Sequence, residues 1–215
     1  MGRLARPDTG PPRRRWRAAG VGAVATAALA LAGCGNSSPQ RSSAGGIPAA
    51  LVREARPIGR GPRFRPRLNG PVIGPCRRAL GPRRGVHIEV FAANRVVIVA
   101  AGIGTRPPRR LSEGRIAGAG CYGALVTADP TGVVLVRPGA RLRLADLFRS
   151  WGQLLSSDRV ASFASPPGQR VAVFVGGRRW HGPSGRVPLT AHSEIVVEVG
   201  PHVPPHSSYT FPPGS

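Results

Sequence analysis

The sequence predicts an α+β fold made mainly of antiparallel β-hairpins, with one amphipathic helix over about residues 142–155. Short apolar runs with a period of two recur after residue 86 and are separated by turn-forming residues, which is typical of hairpins. One segment, RLRLADLFRSWGQLLSS, instead places its apolar residues at helical spacing. A β-sandwich-like arrangement is the alternative fold class.

The first two hairpins follow one another in the chain. One is predicted over about 86–101, where the alternating segment VHIEVF is followed, after a turn, by RVVIVAAGIG. Its alternation places Val86, Ile88 and Val90 on one face. The other is GALVTADPTGVVLV, in which residues 129–132 form a turn between two strands.

Two further segments complete the predicted sheet. The segment RVAVFVGGRRW predicts a hairpin that turns at residues 176–177, and SEIVVEVG predicts a last strand. Glu194 and Glu198 are four residues apart in this strand and therefore share a face. Paired carboxylates can do acid–base chemistry, but the alternation favours a solvent-facing surface. We therefore predict no catalytic residue and no enzymatic activity.

The helix is predicted from one apolar stripe. Its members fall at i, i+3, i+4, i+7 and i+11, and they are Leu144, Leu147, Phe148, Trp151 and Leu155. Such a stripe is far more typical of a protein core than of a cofactor site, so we expect the helix to cover the sheet and predict no cofactor. Gly152 weakens the last turn and is a candidate end of the helix.

The first 33 residues have the pattern of a signal peptide. A cationic stretch at 13–17 precedes an uncharged apolar run at 18–32. Fifteen helical residues span roughly 22 Å, which is short of the roughly 30 Å hydrocarbon core of a bilayer. A permanent transmembrane helix is therefore disfavoured.

The end of this segment resembles the lipobox of bacterial lipoproteins. Leu31, Ala32 and Gly33 precede Cys34, whose thiol would accept the diacylglyceryl group. The resemblance implies removal of residues 1–33 and a membrane anchor at Cys34, on the extracytoplasmic face of the cell membrane, since two acyl chains anchor stably. An ordinary signal peptide with an incidental cysteine is the alternative.

A Gly/Ser/Pro/Arg-rich tether is predicted over residues 34–71, with a β-rich domain over 72–215. Arginine recurs among proline and glycine without a period, so no packed structure is expected before about Val72. All 31 basic residues of the chain are arginine, against 9 acidic residues, a pattern typical of GC-rich coding. The tether could contact anionic lipids or cell-wall polymers, or be a solvated spacer. Nucleic-acid binding is disfavoured, because Phe64 is the tether's one aromatic residue.

The remaining cysteines and the histidines are the other candidate site residues. Cys76 and Cys121 favour a disulfide outside the cytoplasm, with two free buried thiols as the alternative. His87, His202 and His206 are weak candidates for metal ligands. The two prolines between His202 and His206 forbid a helix that would align both rings, so solvent-exposed tail histidines are the favoured interpretation.

Five segments in a fixed order resemble a family of small uncharacterised secreted bacterial domains, over about residues 72–214. They are VHIEVFAANRVVIVAAGIG, CYGALVTADPTGVVLV, LRLADLFRSWGQLL, VAVFVGGRRW and PPHSSYTFPPG. Many members have the central pattern L-H-T-H-D-x-T-G-x-I-H-V-E, which could bind a metal. This chain keeps Leu125, Thr127, Asp129, Thr131, Gly132 and Val136, but has Val126, Ala128 and Leu135 at the histidine positions and Arg137 at the glutamate. The resemblance implies the fold and argues against a metal site in that segment.

These observations together predict a lipid-anchored extracytoplasmic protein whose role is non-catalytic binding at the cell envelope. The alternative from a different class is a metal-binding or redox accessory lipoprotein that uses His87 and the tail histidines. An envelope hydrolase is a third and weaker hypothesis. The sequence identifies no protein partner.

Overall fold

The structure is a computed structural model that describes residues 56–213. The predicted signal peptide, the lipobox and Cys34 lie outside the described residues, as does the first part of the predicted tether. Among residues 56–213, no helix is long and apolar enough to cross a membrane.

The described residues form eleven strands and one α-helix, and the predicted α+β class is confirmed. The elements are β1 (Arg84–Ala92), β2 (Arg95–Val96), β3 (Thr105–Ser112), β4 (Arg115–Tyr122), β5 (Leu125–Thr127), β6 (Val133–Val136), α1 (Leu144–Trp151), β7 (Arg159–Val160), β8 (Phe163–Ala164), β9 (Ala172–Val175), β10 (Arg178–Arg179) and β11 (Glu194–Val199). Two 3₁₀ turns cover Pro62–Phe64 and Ser184–Arg186.

A seven-stranded sheet organises the domain, in the order β10-β9-β11-β1-β6-β5 with β2 paired to β1. The pair β1–β11 is parallel and the other neighbours are antiparallel. The predicted hairpins β5–β6 and β9–β10 are confirmed. The hairpin predicted over 86–101 is shorter than expected, because β2 ends at Val96 after two pairs with β1.

Strands β3 and β4 form a separate two-stranded ribbon that the sequence analysis missed. Its sequence, TRPPRRLSEGRIAGAGCY, has no regular alternation of apolar and polar residues. The remaining signal is the turn at Glu113-Gly114, where both residues have positive φ, of 51° and 76°. Two such residues in a row are typical of a tight hairpin turn.

The helix α1 packs its apolar stripe against one face of the sheet. Leu144, Leu147, Phe148 and Trp151 are all fully buried in the main core. The helix is shorter than the predicted 142–155, because Gly152 adopts a left-handed conformation with φ 79° and ends it. The backbone N–H of Arg143 donates to Asp146 Oδ2 at 2.9 Å and satisfies one free donor at the helix start.

The expectation that nothing packs before about Val72 is wrong for residues 56–71. Phe64 and Leu68 pack against the main core. The Ser150 hydroxyl donates to the Pro71 carbonyl at 2.9 Å. Gly70 lies against the end of α1, where an added Cβ would overlap the carbonyl oxygens of Arg149 and Ser150. Isolated apolar residues without a period therefore hold this segment on the domain.

Cys76 and Cys121 form the predicted disulfide, with their Cα atoms 5.4 Å apart. The adjacent residues Arg77 and Tyr122 pair through their backbones, with N···O distances of 2.9 and 2.7 Å. The bridge therefore joins the segment before β1 to the end of β4.

Candidate metal site on the second face of the sheet

The two central strands bring His87 and Glu194 together on the face opposite α1. The parallel register of β1 and β11 pairs these two residues directly. His87 Nδ1 lies 2.6 Å from Glu194 Oε2, and the two side chains are 8% and 1% exposed. A histidine and a carboxylate are therefore held in contact almost without solvent.

The contact made by the second ring nitrogen of His87 determines which ring nitrogen carries a hydrogen. His87 Nε2 lies 3.0 Å from the Thr131 carbonyl oxygen, which can only accept a hydrogen bond. Nε2 therefore carries a hydrogen, and Nδ1 faces Glu194 Oε2 with a single proton between them. A backbone carbonyl that orients one ring nitrogen in this way is common where the other nitrogen binds a metal.

The turn between β5 and β6 supplies this carbonyl. Gly132 has a φ of +87°, and an added Cβ there would lie 2.5 Å from the Ile88 carbonyl oxygen and 3.1 Å from His87 Nε2. Asp129 Oδ1 accepts from the backbone N–H of Thr131 at 3.2 Å and also from its hydroxyl. The segment predicted only as a turn thus positions the imidazole of His87.

Glu89 extends the pair into a cluster. It follows His87 by two residues on β1 and so points to the same face. One ligand atom from each of His87, Glu89 and Glu194 can be chosen so that all three lie within 4.8 Å of one another. His206 Nδ1 lies 2.8 Å from Glu89 Oε2 and holds that carboxylate from the C-terminal segment.

Glu194 has one oxygen to which no group of residues 56–213 donates. This atom, Oε1, is buried, and the whole residue is only 3% exposed. Burial raises the pKa of Glu194, and the hydrogen bond and charge of His87 oppose this rise. A buried carboxylate with a free oxygen is costly unless a proton or a cation compensates it.

The C-terminal segment after β11 covers the cluster. The Tyr209 ring stacks on His87 with 3.7 Å between ring centroids, and Val203 is buried with Phe91, Phe174 and Val196 in a second core cluster. A small cavity of about 80 Å³ lies beside the cluster and is lined partly by His87, Glu89 and Thr131, whereas Glu194 is not part of its wall.

The structure separates the three candidate histidines. His87 and His206 belong to the cluster, whereas His202 pairs with Glu198 at 2.8 Å and keeps a side chain that is 62% exposed. The interpretation of Glu194 and Glu198 as solvent-facing is wrong, because both are buried. Alternation reveals that a face exists but cannot show that a proline-rich tail covers it.

No family model matches this chain, and no curated protein or solved structure is similar to it. The resemblance to secreted bacterial domains therefore stays a prediction.

Proposed function

We propose that this protein is a lipid-anchored, extracytoplasmic protein that binds a divalent transition metal without catalysing a reaction. Zinc is the favoured metal. One observation carries the proposal: His87, Glu89 and Glu194 offer three ligand atoms within 4.8 Å of one another. This combines the predicted binding role at the cell envelope with the predicted alternative of a metal-binding lipoprotein.

The donor set favours zinc. One imidazole nitrogen and two carboxylate oxygens are borderline-hard ligands that suit Zn²⁺, while soft thiolates are not part of the cluster. Zinc bonds of about 2.0–2.2 Å place neighbouring ligand atoms roughly 3.4 Å apart in a tetrahedron. Zinc binding would therefore draw the three ligand atoms closer together, and Glu89 would move the most, because its side chain is 19% exposed against 8% and 1% for His87 and Glu194.

Among the described residues, the buried Oε1 of Glu194 has no donor and offers an acceptor to a cation, but the Oε1 of Glu198, which pairs with His202, is in the same state. The Glu194 site differs from that structural pair because Glu89 brings a third ligand atom within 4.8 Å. A metal would replace the single proton between His87 and Glu194 and bring a positive charge to both carboxylates. His206 would then orient Glu89 from outside the ligand set, as second-layer partners of metal ligands do.

The proposed location rests on the N-terminal pattern and is consistent with the Cys76–Cys121 disulfide. Structural disulfides persist in oxidising compartments and are rare in the cytoplasm. The Leu31-Ala32-Gly33-Cys34 pattern supplies the anchor. In this arrangement the domain is held at the outer surface of the membrane.

Calorimetry with Zn²⁺ tests the metal proposal. The full-length chain with Cys34→Ser, which removes the lipid acceptor and leaves the disulfide intact, is titrated with zinc chloride. We expect one ion per chain with a Kd of about 10 μM or tighter, which corresponds to roughly −7 kcal/mol. Glu194→Gln, which keeps the shape of the side chain, should weaken binding at least tenfold.

Glu198→Gln and His202→Ala are the matched controls. Glu198 is a buried glutamate on the same strand, also with a free Oε1, and it pairs with His202 outside the cluster. Both control variants should bind zinc within about threefold of the parent chain. Equal weakening by Glu194→Gln and Glu198→Gln, or no binding by the parent chain, would refute the proposed site.

A further inference from the structure

A second cluster of charge lies near the start of β1, next to the disulfide. Arg83 directly precedes β1 and is only 8% exposed. Its Nε donates to the Leu80 carbonyl at 2.9 Å, and its Nη1 donates to the Ala124 carbonyl at 3.1 Å. Its Nη2 is buried and has no hydrogen-bond partner in the part of the chain that the structure describes. A buried guanidinium with free donors is expensive to maintain and calls for an acceptor.

Two more arginines surround Arg83 without any acid. Arg137 Nη2 lies 3.0 Å from the Gly123 carbonyl oxygen and 3.1 Å from the Pro75 carbonyl oxygen. Burial, followed by the charges of Arg137 and Arg77, lowers the pKa of Arg83 to about 10. Within residues 56–213, no carboxylate forms an ion pair with any of the three. Three like charges are thus gathered and left uncompensated.

The backbone around these arginines is cross-linked and borders an open depression. The disulfide at Cys76 and the backbone pairing of Arg77 with Tyr122 fix the segment. An open depression of about 410 Å³ is lined by residues 79–82 together with Arg77, Arg137 and Pro138. This volume accommodates a phosphate group with a few attached atoms.

We propose that the arginine triad, Arg77, Arg83 and Arg137, binds a phosphate group. Guanidinium groups match the geometry of phosphate oxygens and bind them through paired hydrogen bonds. A bound phosphate supplies the negative charge that the triad lacks, with Arg77 and Arg137 lining the depression and Arg83, which is not part of its wall, adding its buried charge. The phosphate could belong to an anionic lipid headgroup or be free in solution, and both sources have this chemistry. The inference does not depend on the metal site.

Thermal unfolding of the full-length Cys34→Ser chain with inorganic phosphate provides the first test. At constant ionic strength, phosphate should raise the melting temperature saturably, with a Kd below about 1 mM, while chloride should not. Arg77→Gln removes a triad charge whose side chain makes no hydrogen bond within the described residues, so the fold should be retained. This variant should bind phosphate at least tenfold more weakly.

Arg78→Gln is the matched control, because Arg78 is the next residue and is also exposed but is not part of the depression. It should bind phosphate within about threefold of the parent chain. Equal losses for Arg77→Gln and Arg78→Gln would show that binding follows total charge, and a chloride effect as large as that of phosphate would show salt screening. Either result overturns the proposal.

Vesicles identify the source of the phosphate. If a lipid headgroup is the ligand, the chain should bind phosphatidylglycerol vesicles more tightly than phosphatidylcholine vesicles, and Arg77→Gln should weaken this preference at least tenfold. If Arg77→Gln affects inorganic phosphate but leaves vesicle binding unchanged, the ligand is free phosphate. Zinc affinity should not change in Arg77→Gln, so failure here is distinguishable from failure of the metal site.

Discussion

His87 and Glu194 are 107 positions apart in the sequence, yet their side chains meet at 2.6 Å because β1 and β11 are parallel neighbours. The contact lies on a sheet face that the C-terminal segment covers, and Tyr209 stacks directly on the imidazole. Few solvent molecules therefore reach either group. The pair is the structural centre of the candidate site, and its energetics can be measured without any metal.

His87→Ala should cost about 3–5 kcal/mol of unfolding free energy near pH 7, because it leaves Glu194 buried without its partner. The loss should shrink as the pH falls, since protonation then neutralises Glu194. Urea unfolding in the presence of a chelator measures both effects. His202→Ala is the control and should cost less, because the His202 side chain is 62% exposed, whereas both partners of the first pair are buried. Equal losses in the two variants would contradict the buried character of the first pair.

Ionisation of the Tyr209 hydroxyl should destabilise the folded domain at high pH. Burial, followed by the charges of Asp129 and Glu194, raises the pKa of Tyr209 above its usual value of about 10. A raised folded-state pKa contributes stability that is fully present below the unfolded pKa and is lost as the pH rises through the folded pKa. Tyr209→Phe should therefore lose less stability than the parent chain between pH 9 and pH 11.5 in urea titrations.

Arg83 also titrates in this range, but it is present in both chains, so the difference between them isolates Tyr209. Identical pH profiles for the parent chain and Tyr209→Phe would show that the ring does not ionise from a covered position. A chelator in the buffer keeps metal binding from contributing.

The sequence predicts the elements formed by neighbouring residues but not the pairing of strands that are far apart in the chain. Periods of two and of 3.6 identify the hairpins β5–β6 and β9–β10 and the helix, because each depends on neighbouring residues. The parallel pairing of β1 with β11 has no local signal, since nothing in VHIEVF or SEIVVEV specifies the partner strand. The candidate site depends on that pairing, so His87 could be named as a weak candidate but its partners could not.

The covering of this sheet face by the C-terminal segment explains why Glu194 and Glu198 were wrongly predicted to face solvent. Glu194 and Glu198 alternate with apolar residues, and this pattern is the same whether the polar face meets water or a covering segment. The covering segment contains His202 and His206, which the prolines between them keep out of a helix. Each histidine therefore pairs with a different glutamate, Glu198 and Glu89 respectively. Histidines and glutamates that the sequence predicts to face solvent therefore form ion pairs in the structure.

The anchor is tested by Cys34→Ser in cells fed a labelled fatty acid. We expect the substitution to abolish label incorporation and to release the protein from the membrane fraction, because Cys34 is the only acceptor that the lipobox specifies. The Cys76→Ser/Cys121→Ser chain is the control and should keep its label. A Cys34→Ser chain that still carries the label would contradict lipidation at this position.

Loss of the disulfide should destabilise the domain by about 4 kcal/mol, the chain-entropy value for a loop whose ends are 45 residues apart. Urea unfolding of the parent chain with and without reductant measures this loss. The Cys76→Ser/Cys121→Ser chain should match the reduced parent and be insensitive to reductant. A difference below about 1 kcal/mol would indicate that the backbone pairing of Arg77 with Tyr122 holds the segment without the bridge.

Two glycines with the same conformation test whether residues 56–71 belong to the folded domain. Gly152 and Gly139 both have a φ of 79°. An added Cβ at Gly139 meets nothing within 4 Å, whereas at Gly152 it would overlap Asn69 Oδ1 and lie 2.7 Å from Gly70 N. Gly139→Ala should therefore lower the free energy of unfolding only by the roughly 1–2 kcal/mol of left-handed strain that an alanine introduces.

Gly152→Ala should introduce the same strain and lower the free energy of unfolding by about 1–3 kcal/mol more, since the new methyl group must displace Asn69 and Gly70 from the end of α1. Urea unfolding of both variants gives the difference directly, because the strain cancels. If residues 69–70 detached from the helix in solution, the two substitutions would cost the same. A larger loss at Gly152 requires the segment to be packed, and it moves the start of the domain from residue 72 into the arginine-rich region itself.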